Sequence, residues 1–372
     1  MKKYAVLLAM LMPFILSGCT KEVENKVITI DVNGQAVEGK FTGILEDNIA
    51  TGEGTFKVSI DDTSSWVYKG EFADNSFSKL GFVEGYPLTV TYGGVKIRGI
   101  YSGNMDNGKI SGEGSFVDSE EDITFEYTGD WLDGNLSGEG ILKYDKYIVP
   151  FSDVNREGLF EGAVIDGIAN GEGTFTAVND DDITYVYTGS WEEGLCHGQG
   201  EMDYDSEDYY DQIGTFTKGD FTPTELEVIQ SLGTYPKMEF EVNDMSVEFI
   251  KEHTEFFTTD DSMVLDKYVD VELGYKKLIK SPHLYGDKLV KVEGYRVLQI
   301  WEEECWGRTL TTMLIHDNNY EQYMFVFYLG SLPDVYEESM ITIYALPINA
   351  STYETTIGGM NNCYILYGCY VN

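Results

Sequence analysis

An aromatic residue followed by glycine two positions later recurs six times, starting at Phe41, Tyr68, Tyr101, Tyr127, Phe160 and Tyr187, and each time a train of further glycines follows. The fullest copies are Tyr127, Gly129, Trp131, Gly134, Gly138, Gly140 and Tyr187, Gly189, Trp191, Gly194, Gly198, Gly200. Tyr101 leads Gly103, Met105, Gly108, Gly112 and Gly114, and Phe160 leads Gly162, Val164, Gly167, Gly171 and Gly173. The first two units are eroded, with Asn48 and Asn75 at the turn and Lys79 where a glycine is expected. A seventh fragment keeps Gly214, Phe216 and Gly219. The starts lie 27, 33, 26, 33 and 27 residues apart, so the true period is a pair of about 60 residues. Long and short connections then fall on opposite edges of a ribbon.

Each unit reads as a β-hairpin. Residues one, three and five of aromatic-x-Gly-x-aromatic share a face. The pairs Asn107-Gly108, Asp133-Gly134 and Glu193-Gly194 are turn signals. The glycines of the returning strand are expected to make room for an aromatic ring of the adjoining unit. One hairpin cannot bury its own apolar face, so the units must stack. The main anchors are Tyr101, Tyr127, Trp131, Phe160, Tyr187 and Trp191, with Gly129, Gly134, Gly138, Gly140, Gly189 and Gly194; their role is structural. Over residues 34–222 the pattern resembles the MORN repeat, Tyr-x-Gly-x-Trp-x-x-Gly-x-x-x-Gly-x-Gly. The resemblance implies an elongated antiparallel sheet used for attachment, oligomerisation or partner binding.

The N-terminus has Lys2 and Lys3, an apolar run from Tyr4 to Leu16, then Ser17-Gly18-Cys19. That is the order of a secretory signal, residues 1–18. Thirteen apolar residues interrupted by Pro13 are too few to span a bilayer, which takes about 20. Leu16-Ser17-Gly18-Cys19 resembles the lipobox of bacterial lipoproteins. The resemblance implies cleavage before Cys19, a lipid on its sulfur, and attachment to the outer face of the cell membrane. Residues 19–33 read as a polar tether with one apolar stretch, Val27–Ile30.

Lys+Arg number 25 against 64 Asp+Glu, a net charge of −39. Removing residues 1–18 takes away Lys2 and Lys3 and gives 23 − 64 = −41. Such a chain repels nucleic acid and anionic headgroups, so nucleic acid is excluded as a general partner. The phospholipid association of eukaryotic MORN proteins is not carried over for the same reason.

Glycine use changes at Asp220, from 30 glycines between Gly34 and Gly219 to 9 afterwards. Residues 223–280 read as a helical bridge. Its first helix is expected to be capped by Thr222, with Pro223 at the first position, and to end near Gly233. A second amphipathic helix is expected to carry Met245, Phe249, Ile250, His253, Phe256 and Phe257 on one face, with His253 packed. Residues 281–372 alternate again. Strands are expected at 288–301, 308–316, 322–329, 340–346 and 362–371, with a short helix at 332–339. Five strands in that arrangement point to a small Greek-key barrel of the OB type. The stretches Tyr285–Gly294 and Tyr353–Gly359 resemble OB-fold domains of Gram-positive surface lipoproteins. Such barrels bind oligomers on the second and third strands, which places Tyr323, Phe325, Phe327 and Tyr328 as a candidate ligand face. The fold class is thus mainly β: repeat sheet, helical bridge, five-stranded barrel.

No catalytic or metal motif stands out. The four histidines, His197, His253, His283 and His316, lack metal spacing, and no nucleophile elbow or phosphate loop occurs. No cofactor or metal is expected. Acidic runs at Asp61-Asp62, Asp118–Asp122 and Asp180–Asp182 could bind Ca²⁺ but match no calcium loop. Cys196, Cys305, Cys363 and Cys369 read as free buried thiols. The expectation is a non-catalytic envelope lipoprotein displaying a binding surface to a protein or glycan partner. The alternative is an envelope hydrolase using paired carboxylates on glycan.

Overall fold

The computed structural model describes residues 19–151, 154–259, 261–354 and 359–372. Residues 1–18, where a signal segment is expected, and residues 355–358 of the stretch Tyr353–Gly359 lie outside the described residues. The chain is mainly β. Fifteen strands, from Thr20–Val32 to Asp220–Phe221, follow one another in chain order in one antiparallel sheet, and five more close into a barrel. Two compact units divide the chain, Met1–Tyr144 with Val164–Gly167, and Asp145–Ala163 with Ile168–Asn372.

In the first unit every two-residue hairpin turn is a pair of left-handed residues, whereas the connections at 60–64 and 119–124 are longer loops. Asp133 has φ 50° and Gly134 φ 82°, the twist that joins two antiparallel strands most directly. Two of these turns also reach back one hairpin: the Asn107 N–H donates to the Lys79 carbonyl (2.9 Å) and the Gly134 N–H to the Ile110 carbonyl (3.0 Å). The repeats are therefore tied edge to edge by backbone bonds as well as by rings.

Residues 20–32 are not a tether. They form a strand paired with Gln35–Glu46, burying Val23, Ile30 and Val32. A bulge between Val23 and Lys26, where Asn25 takes φ 51°, shifts the alternation by one step. That break hides the period-two signal.

In the second unit, the helix Glu225–Leu232 is capped by Thr224, not Thr222. Thr224 and Glu227 form a reciprocal capping box, with the Thr224 N–H donating to Glu227 Oε2 at 2.8 Å. Thr222 stays with the sheet, its hydroxyl 2.8 Å from that of Thr217. The expected second helix stops at Glu252, and a 3₁₀ turn, Thr254–Thr258, follows. Phe249, Ile250, Phe256 and Phe257 are buried, whereas Met245 is exposed. The His253 ring packs parallel to Phe256 at 4.7 Å.

The barrel strands are Val290–Cys305, Arg308–His316, Tyr323–Leu329, Met340–Glu354 and Met360–Val371. They run first-second-third-fifth-fourth, the first also pairs with the fourth, and the third and fifth are parallel. Alternation sorts their side chains. Val292, Met313, Ile315, Met324, Val326 and Ile343 share one core, and Leu314, Phe325, Phe327, Leu346 and Ile365 join the helices in another. Glu225, at the start of the first helix, holds Arg308 (2.7 Å) and the Tyr367 hydroxyl (3.1 Å). The expected helix at 332–339 is absent: two separate turns, closed by Val335 N–H to Leu332 O and Ser339 N–H to Tyr336 O, take its place. Glu338 takes φ 67° and its N–H donates to the Val297 carbonyl (2.8 Å), which ties this end of the segment to the first barrel strand instead of a helix.

Candidate binding site

The repeat anchors are all buried: Tyr101, Tyr127, Trp131, Phe160, Tyr187 and Trp191. Each leading ring lies over two glycines of its own hairpin, not over those of a neighbour as the sequence led us to expect. A methyl group on Gly140 would stand 2.5 Å from the Tyr127 hydroxyl, and one on Gly129 2.6 Å from it. Tyr187 covers Gly189 and Gly200 in the same way. The hydroxyl then donates three residues on, Tyr101 to Asn104 O (2.9 Å), Tyr127 to Asp130 O (2.9 Å) and Tyr187 to Ser190 O (2.8 Å). Phe41 covers Gly43 and Gly54 likewise, so the eroded first unit keeps the packing.

Contact with the neighbouring repeat belongs to the tryptophan. Trp131 sits edge-on between its own Tyr127 (5.3 Å) and Tyr101 of the preceding unit (5.1 Å), and its indole N–H donates to the Gly114 carbonyl at 3.1 Å. Trp191 repeats this with Tyr187, Phe160 and the Gly173 carbonyl. The remaining anchors serve the turn edge: the Gly138 N–H donates to Asp166 Oδ1 (2.8 Å) and the Gly194 N–H to the Ala169 carbonyl (2.9 Å).

Burial pushes the Tyr68 and Tyr127 phenols up to about 12, helped by Glu53 and by Asp130 respectively. The folded value lies above the unfolded one. The stability tied to the neutral phenols is therefore complete below about pH 10 and lost as pH rises through 12. Tyrosinate absorbance is expected to rise in two phases, the later one coinciding with loss of β-sheet circular dichroism between pH 10 and 12. A single phase near pH 10 with the fold intact would contradict this.

Each acidic run has at least one carboxylate held by the protein itself. Asp61 accepts from the N–H and hydroxyl of both Thr63 and Ser64, which holds its carboxyl well below the usual range. Asp180 takes a bidentate pair from Arg156 at 2.7 and 2.6 Å, Asp181 accepts from the Tyr209 hydroxyl, and Asp118 accepts from the Phe125 N–H. Among the described residues no group of three or more His, Cys, Asp or Glu is arranged to hold a metal ion. Cys196, Cys363 and Cys369 are buried thiols, Cys305 is half-buried, and burial raises all four. Cys19 is exposed, and its N–H donates to Asp47 Oδ1 at 3.1 Å.

A cleft of about 520 Å³ lies on the outer side of the barrel's first three strands. Tyr323, Phe325 and Phe327 line it; Tyr328, the fourth residue expected on this face, does not, because it sits one step out of phase and packs near Gly330 and Gly368. Register carries the face across the sheet, since Trp301 pairs with Thr312, Thr312 with Phe327, and Leu314 with Phe325. That pairing is the signal from which Thr312 and Leu314 follow. Tyr210, Tyr235, Lys237 and Met238 border the cleft from the segments before and after the first helix, and Tyr353 and Asn361 close one side. Thr312 is 1% exposed and its hydroxyl has no partner in the protein. Burial raises the Tyr210 and Tyr353 phenols, so both stay neutral near pH 7.

The fold and these geometries define a hairpin-repeat sheet joined to a barrel with an aromatic recess. The model of the MORN-repeat family matches residues 101–120, 127–147, 160–181 and 187–209, so the chain carries four MORN repeats. Such repeats are generally binding or scaffold modules. No curated protein matches the chain.

Proposed function

We propose that this protein is a non-catalytic lipoprotein of the bacterial cell envelope, held at the outer face of the membrane by lipid on Cys19. In this reading the MORN-repeat sheet is scaffold, and the OB-type barrel binds an envelope protein or glycan in its cleft. The observation that carries it is the Thr312 hydroxyl, buried without a partner in a recess walled by aromatic rings. A buried unmatched hydroxyl costs about 1–3 kcal/mol, a cost that a bound ligand removes. The same strand face serves OB-type barrels for oligomer binding. Leu16-Ser17-Gly18-Cys19 supports the anchor, and because the first strand starts at Thr20 the lipid would adjoin the sheet without a spacer. A mature charge of −41 supports leaving nucleic acid out.

The alternative, a glycan hydrolase, needs two carboxylates flanking the scissile bond. None of the described residues lining the cleft is Asp, Glu or His, so this recess does not favour it.

Leu298→Trp places a large ring in the cleft from the wall of the first barrel strand. Full-length protein is expected to enrich a specific partner from bacterial envelope extract, and Leu298→Trp to lose it while melting as the unsubstituted protein does. Equal capture by both would contradict the reading.

A further inference from the structure

We infer that the protein has a second binding site, at the end of the repeat sheet, and that it takes a para-substituted phenol in the position that Tyr92 holds one repeat pair earlier. It shares no lining residue with the barrel cleft, and it stands whether or not that cleft binds an envelope partner.

Equivalent positions in successive pairs are matched by their distance from the leading tyrosine. Tyr92 follows Tyr68 by 24 residues, and Phe151 follows Tyr127 by 24. Phe125 lies two residues before Tyr127 and Tyr144 lies 17 after it, as Tyr185 and Tyr204 do around Tyr187. In the earlier pair Tyr92 stands edge-on to both Phe125 (5.2 Å) and Tyr144 (5.3 Å). Its hydroxyl donates to the Gly167 carbonyl at 2.6 Å. A phenol from the chain's own hairpin thus plugs the space over those two rings.

The later pair lacks this plug. Phe151 stands 6.3 Å from Tyr185, and among the described residues it makes no ring contact with Tyr204. It also has no hydroxyl to offer Gly219. That glycine is the counterpart of Gly167, each lying seven residues after the head of its unit, Gln212 and Phe160. Packing is looser as well: a methyl on Gly167 would meet Tyr92 Cε2 at 3.1 Å, whereas one on Gly219 would meet Phe151 Cδ1 at 3.9 Å. What remains is a cavity of about 590 Å³ bordered by Phe151, Tyr185, Tyr204, Gly219, Phe221 and Trp306. Tyr185 and Tyr204 face each other in register with their rings 5.9 Å apart. Trp306 comes from the turn of the barrel's first hairpin and stands edge-on to Phe221 at 5.3 Å, so the last repeat and the barrel build the site together.

The lining selects the ligand. Rings set at angles accept a further flat ring edge-on, the geometry that Tyr92 adopts. Gly219 occupies the place from which Gly167 accepts a proton, so the incoming ring needs a hydroxyl. The Tyr185 hydroxyl, on a residue 4% exposed, has no hydrogen-bond partner among the described residues, and its counterpart Phe125 has no hydroxyl at all. The open site therefore carries a polar group that a purely apolar ligand would leave unmet. The one base of the described lining, Arg156, is held by Asp180 at 2.7 and 2.6 Å. An anionic ring finds no free counter-charge there.

The test is titration of the full chain with para-ethylphenol, read by ligand-observed NMR. Para-ethylanisole lacks the donated proton, and para-ethylbenzoate is the anionic probe. The phenol is expected to bind, and the other two at least tenfold more weakly. Phe151→Tyr supplies the missing hydroxyl from the chain itself. It is expected to raise the melting temperature and to weaken para-ethylphenol tenfold or more. Trp306→Leu removes one wall and is expected to weaken it about tenfold. A Gly-Gly-Tyr-Gly-Gly peptide that binds as tightly as the phenol makes a partner's tyrosine the source of the ring; binding of para-ethylphenol without the peptide makes it a small molecule. The inference is overturned if para-ethylphenol does not bind, if para-ethylanisole or para-ethylbenzoate binds equally well, or if either substitution leaves phenol affinity unchanged. A lower melting temperature for Phe151→Tyr would overturn the equivalence with Tyr92.

Discussion

Trp131→Ala is expected to destabilise the repeat sheet by about 3–5 kcal/mol, the cost of deleting a buried large aromatic side chain. Three losses coincide there. The indole leaves a void between Tyr127 and Tyr101, two edge-on ring contacts vanish, and the Gly114 carbonyl loses its donor. Because Trp131 bridges two repeats, the damage is not confined to one hairpin; in a stacked array each unit draws stability from its neighbours. Chemical unfolding followed by circular dichroism would measure it. A near-native midpoint would contradict the bridging role. Trp301→Ala, at a half-open cleft, is expected to melt close to the unsubstituted protein, which separates the scaffold tryptophan from the binding one.

Gly140→Ala is expected to cost about 3 kcal/mol, at the upper end of what overpacking a dense core exacts. The added methyl would meet the Tyr127 hydroxyl at 2.5 Å and Cζ at 2.6 Å. The ring has little freedom to yield. Its hydroxyl is bonded to the Asp130 carbonyl and its other side faces Trp131 at 5.3 Å. The same unfolding measurement applies, and a loss under about 0.5 kcal/mol, the ordinary range for a surface change, would show that the ring does not sit where described.

Much of this architecture is legible because local chemistry dictates it. Asp133-Gly134 specifies a left-handed turn, Tyr127-x-Gly-x-Trp131 specifies one face, and Arg308–His316 declares itself as a short apolar and β-branched run buried on both faces. What escapes is long-range or masked. The Thr20–Val32 strand is hidden by its bulge at Asn25, which interrupts the alternation from which strands are read. Two threonines, Thr222 and Thr224, both suit a helix cap, and only the sheet's claim on Thr222 decides between them. The partner of each glycine is likewise set by where the ring lies, which period-two reasoning leaves open between its own hairpin and the next. The cleft is the least legible part. Its third strand supplies Tyr323, Phe325 and Phe327 in phase, but Tyr210, Tyr235, Trp301, Thr312 and Tyr353 come together only through strand register and the packing of the helical segment. Composition gives no hint that a chain this acidic would line a recess without one carboxylate.

Cover of each glycine pair by the ring of its own hairpin is the packing on which the scaffold depends, and a double-mutant cycle between Tyr127→Leu and Gly140→Ala tests it most directly. With the ring gone, Gly140→Ala is expected to cost less than about 1 kcal/mol, a coupling of about 2 kcal/mol between the two sites. An equal cost in both backgrounds would mean that the methyl meets something other than Tyr127 and would contradict the packing described.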